Sequence, residues 1–76
     1  MSRAKQNRQW YAYLIIRGFV RAHRIMPPPA TMKRYILQAA TDHGDMGTQA
    51  EWEVGFASAY EVHEIEQDLS HGSEPA

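Results

Sequence analysis

The residues that could carry chemistry are few, and each spacing can be tested in turn. His63-Glu64-Ile65-Glu66-Gln67 falls one residue short of H-E-x-x-H. In that motif two histidines one helical turn apart bind zinc, and the glutamate polarises the metal-bound water. Here position 67 is glutamine and the next histidine, His71, lies two turns on, so two rings cannot converge on one ion. On a continuous helix His63 projects instead among Trp52, Phe56 and Tyr60, as a packed histidine. Asp42–Glu53 has the length of a calcium loop and ends in a glutamate. Its third and fifth positions are Gly44 and Met46, which bring no ligand oxygen. The chain has no cysteine, which excludes thiol catalysis, disulfides and thiolate zinc sites. Ser58 lies mid-helix rather than on a glycine-flanked elbow, and neither glycine-rich phosphate loop is present. No catalytic residue, metal site or cofactor is expected.

What remains is charge and aromatic surface. Arg17, Arg21 and Arg24 recur at i, i+4 and i+7 with Trp10 beside them, a strip that could meet successive phosphates while the indole stacks. Glu53, Glu61, Glu64 and Asp68 gather along one side of the last helix. Such a row of carboxylates suits a basic groove on another protein, including one that normally holds nucleic acid. These eight residues are the candidate partner-binding set. They belong to a wider asymmetry. All 8 Lys and Arg lie between Arg3 and Arg34, and all 9 Asp and Glu between Asp42 and Glu74, so a net charge of −1 hides a basic front and an acidic back. Either the two halves neutralise each other within the chain, or one of them faces a charged partner.

The elements that position these groups read as helices. From Arg8 to Ile25, Leu14, Ile25, Gly18, Tyr11, Ala22, Ile15, Phe19 and Ile16 form a broad apolar arc that Val20 and Tyr13 extend. Gly18 and Ala22, one turn apart on that arc, would let another helix approach closely. Met26-Pro27-Pro28-Pro29 makes a stiff corner, because proline has no amide donor and displaces the preceding residue from the α region. A second helix, about 31–42, puts Met32, Tyr35, Ile36, Ala39 and Ala40 on one face. Gly44 is placed to end it in the left-handed conformation. Thr48 and Glu51 have capping-box spacing and open a third helix, 48–69. It carries two apolar faces, one of Trp52, Phe56, Ala59 and Tyr60, the other of Val54, Val62, Ile65 and Leu69. It must therefore be covered on two sides, by helices 1 and 2 or by helix 1 and a second copy.

A chain of 76 residues with 43% hydrophobic and 11% aromatic composition is one small domain that close helix packing or oligomerisation must stabilise. No segment approaches the roughly 20 apolar residues of a membrane span. No secretory signal is recognisable, so the expected location is cytoplasmic. Residues Trp10 to Ile36, with an apolar helix, the Met26-Pro27-Pro28 corner and a second helix in that order, loosely resemble the opening of the LexA repressor DNA-binding domain. The likeness stops at the third helix, where Glu51, Glu53, Glu61, Glu64, Glu66 and Asp68 would stand against phosphates. In size and economy the chain also resembles small phage-encoded inhibitors, anti-CRISPR proteins among them, although no motif carries that likeness.

The expected fold is all-α: a compact three-helix domain with helices at about 8–25, 31–42 and 48–69, able to dimerise, with 1–7 and 70–76 as flexible tails. The expected function is that of a non-enzymatic protein-interaction module, an inhibitor or adaptor. It would bind another protein, one with a basic nucleic-acid-binding groove being the natural fit, through Trp10, Arg17, Arg21 and Arg24 and through Glu53, Glu61, Glu64 and Asp68. The alternative is a small nucleic-acid-binding domain using the basic first helix alone.

Overall fold

The computed structural model describes residues 3–72, with side chains to Ser70. Among these residues there are four α-helices and no strand: α1 (Arg3–His23), α2 (Pro29–Asp42), α3 (Gln49–Tyr60) and α4 (His63–Gly72), with one 3-10 turn at Gly44–Met46. The all-α class is as expected and the three-helix count is not, because the third helix is two. Among the described residues no helix is long and apolar enough to cross a membrane.

Helix α1 starts earlier than Arg8, since Arg3, Ala4, Lys5 and Gln6 are good helix formers with no proline or glycine to stop them. It ends two residues before Ile25. Arg24 takes a left-handed conformation (φ 63) and donates its amide to the carbonyl of Val20 at 2.7 Å, closing the helix. Arg24 is the sole non-glycine with positive φ among the described residues. Pro28 is extended (φ −65, ψ 162) and Pro29 occupies the first turn of α2, where a missing amide costs nothing. Pro27 is fully buried, and the Tyr60 hydroxyl donates to its carbonyl at 3.2 Å, tying the corner to the end of α3. Gly44 does not terminate α2. His43 holds that place with φ −127, and Gly44 opens the 3-10 turn. The glycine that backbone geometry requires is Gly47, at φ 143, a region closed to other residues.

Helix α3 is the centre. It packs between α1 and α2, and α4 folds back on α1. Trp52, Gly55, Phe56 and Ala59, one turn apart in sequence, form its buried face. They meet Ala12, Tyr13, Ile16 and Val20 of α1 and Ile36 and Ala39 of α2 in one core. A side chain at 55 would press on the Cγ of Arg8 at 3.3 Å, so glycine there sets the spacing of α1 and α3. Arg8 is itself buried. Its guanidinium donates to the carbonyl of Met46 and pairs with Glu51 at 3.7 Å, joining α1 to the turn before α3. The indole of Trp52 is wholly buried against the rings of Tyr11, His43 and Phe56. Its Nε1–H finds no acceptor among the described residues.

The break between α3 and α4 has a packing cause. On a straight helix Ile65 would point away from the Trp52–Phe56 face. Tightened bonds from Glu61 to Ser58 and from Val62 to Ala59 end α3 and restart the helix in a new phase. Ile65 then enters the core with no exposure. The two apolar faces seen on one wheel thus belong to two helices. Val54, on the second of those faces, stays 62% exposed.

The capping box at Thr48 is present in both directions. The Glu51 amide donates to Thr48 Oγ1 at 3.3 Å, and the Thr48 amide donates to Glu51 Oε1 at 2.9 Å. Hydrogen bonds from the Thr48 amide and then its hydroxyl hold the Glu51 carboxyl below its ordinary value of 4.5; desolvation opposes them, and the Arg8 charge adds the smallest lowering.

Two outcomes follow from this packing. Ile65→Ala should cost about 2–5 kcal/mol in denaturant titration, and limited proteolysis should then cut first within α4. A carboxyl depressed by folding stabilises above its unfolded pKa and loses that contribution as pH falls through the folded one. Stability should therefore drop on acidification below about pH 5, and less so in Thr48→Ala, which starts about 1 kcal/mol lower.

Candidate interaction surface

Helix α4 returns along α1, and this closes much of the basic strip against the acidic one. Arg21 Nε donates to Asp68 Oδ2 at 3.2 Å, and Arg17 Nε lies 3.7 Å from the same oxygen. One turn earlier the Tyr13 hydroxyl donates to the Glu64 carboxylate. The Arg17 guanidinium sits 5.8 Å from the Tyr13 ring centre, and the Trp10 ring stacks on that same tyrosine with centroids 5.5 Å apart. The hydrogen bond to Glu64 and then burial raise the Tyr13 pKa above 10.0, since both favour the protonated phenol, while Arg17 opposes them. Exposed ion pairs of this kind contribute about 0–1 kcal/mol each. Their larger effect is to remove net positive charge from the surface of α1.

The other members of the candidate set are dispersed. Arg24 lies beyond the end of α1. Glu53, on α3, lines a cleft of about 390 Å³ with Met32, Lys33 and Ile36 of α2. Glu61 sits in the turn between α3 and α4. Among the described residues none of Arg24, Glu53 and Glu61 has an ion partner within 4.0 Å. The carboxylates that would share a line on one helix are thus parted by the break. His63 is likewise not among the rings of α3: its side chain is 78% exposed, with the Gln67 amide 2.9 Å from Nε2. No three His, Asp or Glu side chains among the described residues come together as metal ligands. A shallow groove of about 440 Å³, walled by Gln6, Gln9, Trp10, Tyr13, Val62 and Glu64, runs beside the stacked rings.

The surface that spacing alone did not locate is the outer side of α1. The helix buries Arg8, Ala12, Tyr13, Ile16 and Val20. These lie to one side of the apolar arc expected to be its core. One margin of that arc faces solvent. Tyr11, Leu14 and Ile25 are 41%, 42% and 55% exposed, and Gly18 and Ala22 between them are exposed too. A side chain added at Gly18 would meet nothing within 4 Å. The middle of this side carries no charge, while Arg21, paired with Asp68, and Trp10, 59% exposed, stand along one edge. The signal for it was the glycine and alanine one turn apart on an apolar arc. What the sequence could not show is which side of the arc the neighbouring helices would cover.

Comparisons with protein-family models, with curated proteins and with solved structures find no match for this chain. The geometry of the surface therefore carries the functional argument.

The four tyrosines offer a direct check of the Tyr13–Glu64 contact. In an alkaline absorbance titration the last phenol to ionise should disappear in Tyr13→Phe, and in Glu64→Gln that ionisation should move to lower pH. Helix content should be unchanged in both.

Proposed function

We propose that this chain is a non-enzymatic helical interaction module, an adaptor or inhibitor of the small phage-encoded kind, that docks a helix of another protein against the outer side of α1. One observation carries the reading: between Tyr11 and Ile25 the solvent-facing side of α1 presents an apolar stripe of Tyr11, Leu14, Gly18, Ala22 and Ile25, with small residues at its centre and Arg21 at its edge. A helix apolar around most of its circumference is normally enclosed, and contiguous exposed apolar surface marks an interaction site. Trp10 and Arg24 at the rim are of the types that anchor interfaces. Glu53 and Glu61, without ion partners among the described residues, support a secondary contact with a basic groove of the partner. Self-association through the same face belongs to this reading, and the absence of cysteine suits a cytoplasmic setting.

The alternative, nucleic-acid binding by the basic first helix, loses support where Arg17 and Arg21 share Asp68. Arg24, Lys33 and Arg34 stay exposed and keep it testable.

A photo-reactive side chain at position 14 should crosslink a partner protein in the native cell, and adducts should vanish when Gly18→Asp is added. Crosslinking from positions 53 and 61 alone would contradict the docking face. Retention on random duplex DNA that falls steeply with salt, and is lost in Arg24→Glu/Arg34→Glu, would favour the alternative.

A further inference from the structure

We infer that a second copy of this chain occupies the outer side of α1, packed antiparallel about a two-fold axis at Gly18. The inference rests on the docking reading above: the face that takes a partner's helix is the one a second copy covers in the free chain.

Three observations lead to it. The first is self-complementarity. Residues equidistant from Gly18 on this side pair well when the helix is reversed. Tyr11 and Ile25 stand seven positions to either side, and Leu14 and Ala22 four positions to either side. In the antiparallel pair Tyr11 of each copy comes level with Ile25 of the other and Leu14 with Ala22, each across the line of contact, while Arg21 of the other copy flanks Leu14. Gly18 meets itself where the backbones come closest. A two-fold contact needs this property, because one patch must fit its own reverse.

The second is charge. Helix α1 and the residue after it carry Arg3, Lys5, Arg8, Arg17, Arg21 and Arg24, and two such helices would repel if all were bare. The fold has placed Glu51 against Arg8 and Asp68 against Arg17 and Arg21, so the arginine at the edge of the contact side is already paired. In-chain pairing thus lowers the repulsion between the two copies.

The third is Arg24. A two-fold axis perpendicular to a pair of antiparallel helices keeps each flank on its own side. Trp10 of one copy, eight positions before Gly18, then comes level with the end of α1 in the other, where Arg24 follows six positions after Gly18. Glycine would suit the left-handed backbone of Arg24 (φ 63) better than arginine. A strained residue at such a place points to a use for its side chain. Stacking of the guanidinium on the 59% exposed Trp10 ring of the other copy supplies one.

The stripe from Tyr11 to Ile25 is about 20 Å long. Two helices touching over that length bury less than the roughly 1,600 Å² of a standard interface. The dimer is accordingly a weak one, populated at high chain concentration.

The test is sedimentation equilibrium of the full chain from about 1 µM to about 1 mM, beside thermal melting at a concentration where the chain is monomeric. The expected result is a monomer–dimer equilibrium weakened at least tenfold in Gly18→Leu, whose new side chain has open space in the single chain. Its melting temperature should hold or rise. Arg24→Gly should show the same opposed pair of effects, a more stable monomer and a weaker dimer. A chain that stays monomeric throughout overturns the proposal, as does a dimer indifferent to Gly18→Leu. If the chain is monomeric while crosslinks from position 14 to another protein persist, the docking face stands and only its occupant is wrong. If both fail, the docking reading falls with it.

Discussion

Helix α1 is apolar around more of its circumference than this chain can cover. That constraint orders the rest of the structure. Helix α3 lies along one side through Trp52, Phe56 and Ala59, with Gly55 bringing it close. Helix α4 turns back to cover the adjoining flank through Ile65. Helix α2 is spent mainly on the far side of α3. No element is left for the side carrying Leu14 and Gly18. The described residues span 42 × 26 × 15 Å, a flat body whose short dimension is little more than two helix layers. Flatness leaves helices half-covered, and in α1 the uncovered half is not polar.

The charge asymmetry of the sequence serves assembly of the fold before it serves recognition. Basic α1 lies between two acidic segments, the start of α3 and the face of α4. Arg8 is the deepest of these contacts. It reaches from α1 to the Met46 carbonyl and to Glu51, so the cap that starts α3 and the helix that α3 packs against share one charge network. Farther along, Asp68 serves both Arg17 and Arg21. The pairs on Asp68 are worth little alone, yet they tie α4 to α1 and offset charge along the outer side of α1.

Much of this was legible in the sequence. The proline corner, the capping box at Thr48 and the place of α3 between its neighbours follow from local chemistry and periodicity. So does the buried face of α2 around Ile36 and Ala39. The break at Glu61–Val62 was not read, because it contains neither glycine nor proline. Its trace was the second apolar face, assigned to one two-sided helix when it marked a change of phase. The same limit applies to α1. Periodicity identified an apolar arc correctly, but only tertiary packing decides which part of an arc is interior. Here Ile16, Val20 and Tyr13 toward one end of the arc went inward, and Leu14 and Gly18 at the other end did not. The role of the charged candidates changed for a related reason. Residues chosen as partner contacts from a wheel turned out to be within reach of one another once α4 reversed onto α1.

Amide chemical shifts followed as the protein is concentrated test the central claim most directly, since each residue of α1 reports its own surroundings. The account predicts that Tyr11, Leu14, Gly18 and Ala22 shift together and saturably while Ala57 and Ser58, exposed on α3, stay fixed. Shifts confined to α3 and α4, or none on the outer side of α1 at any concentration, would contradict it.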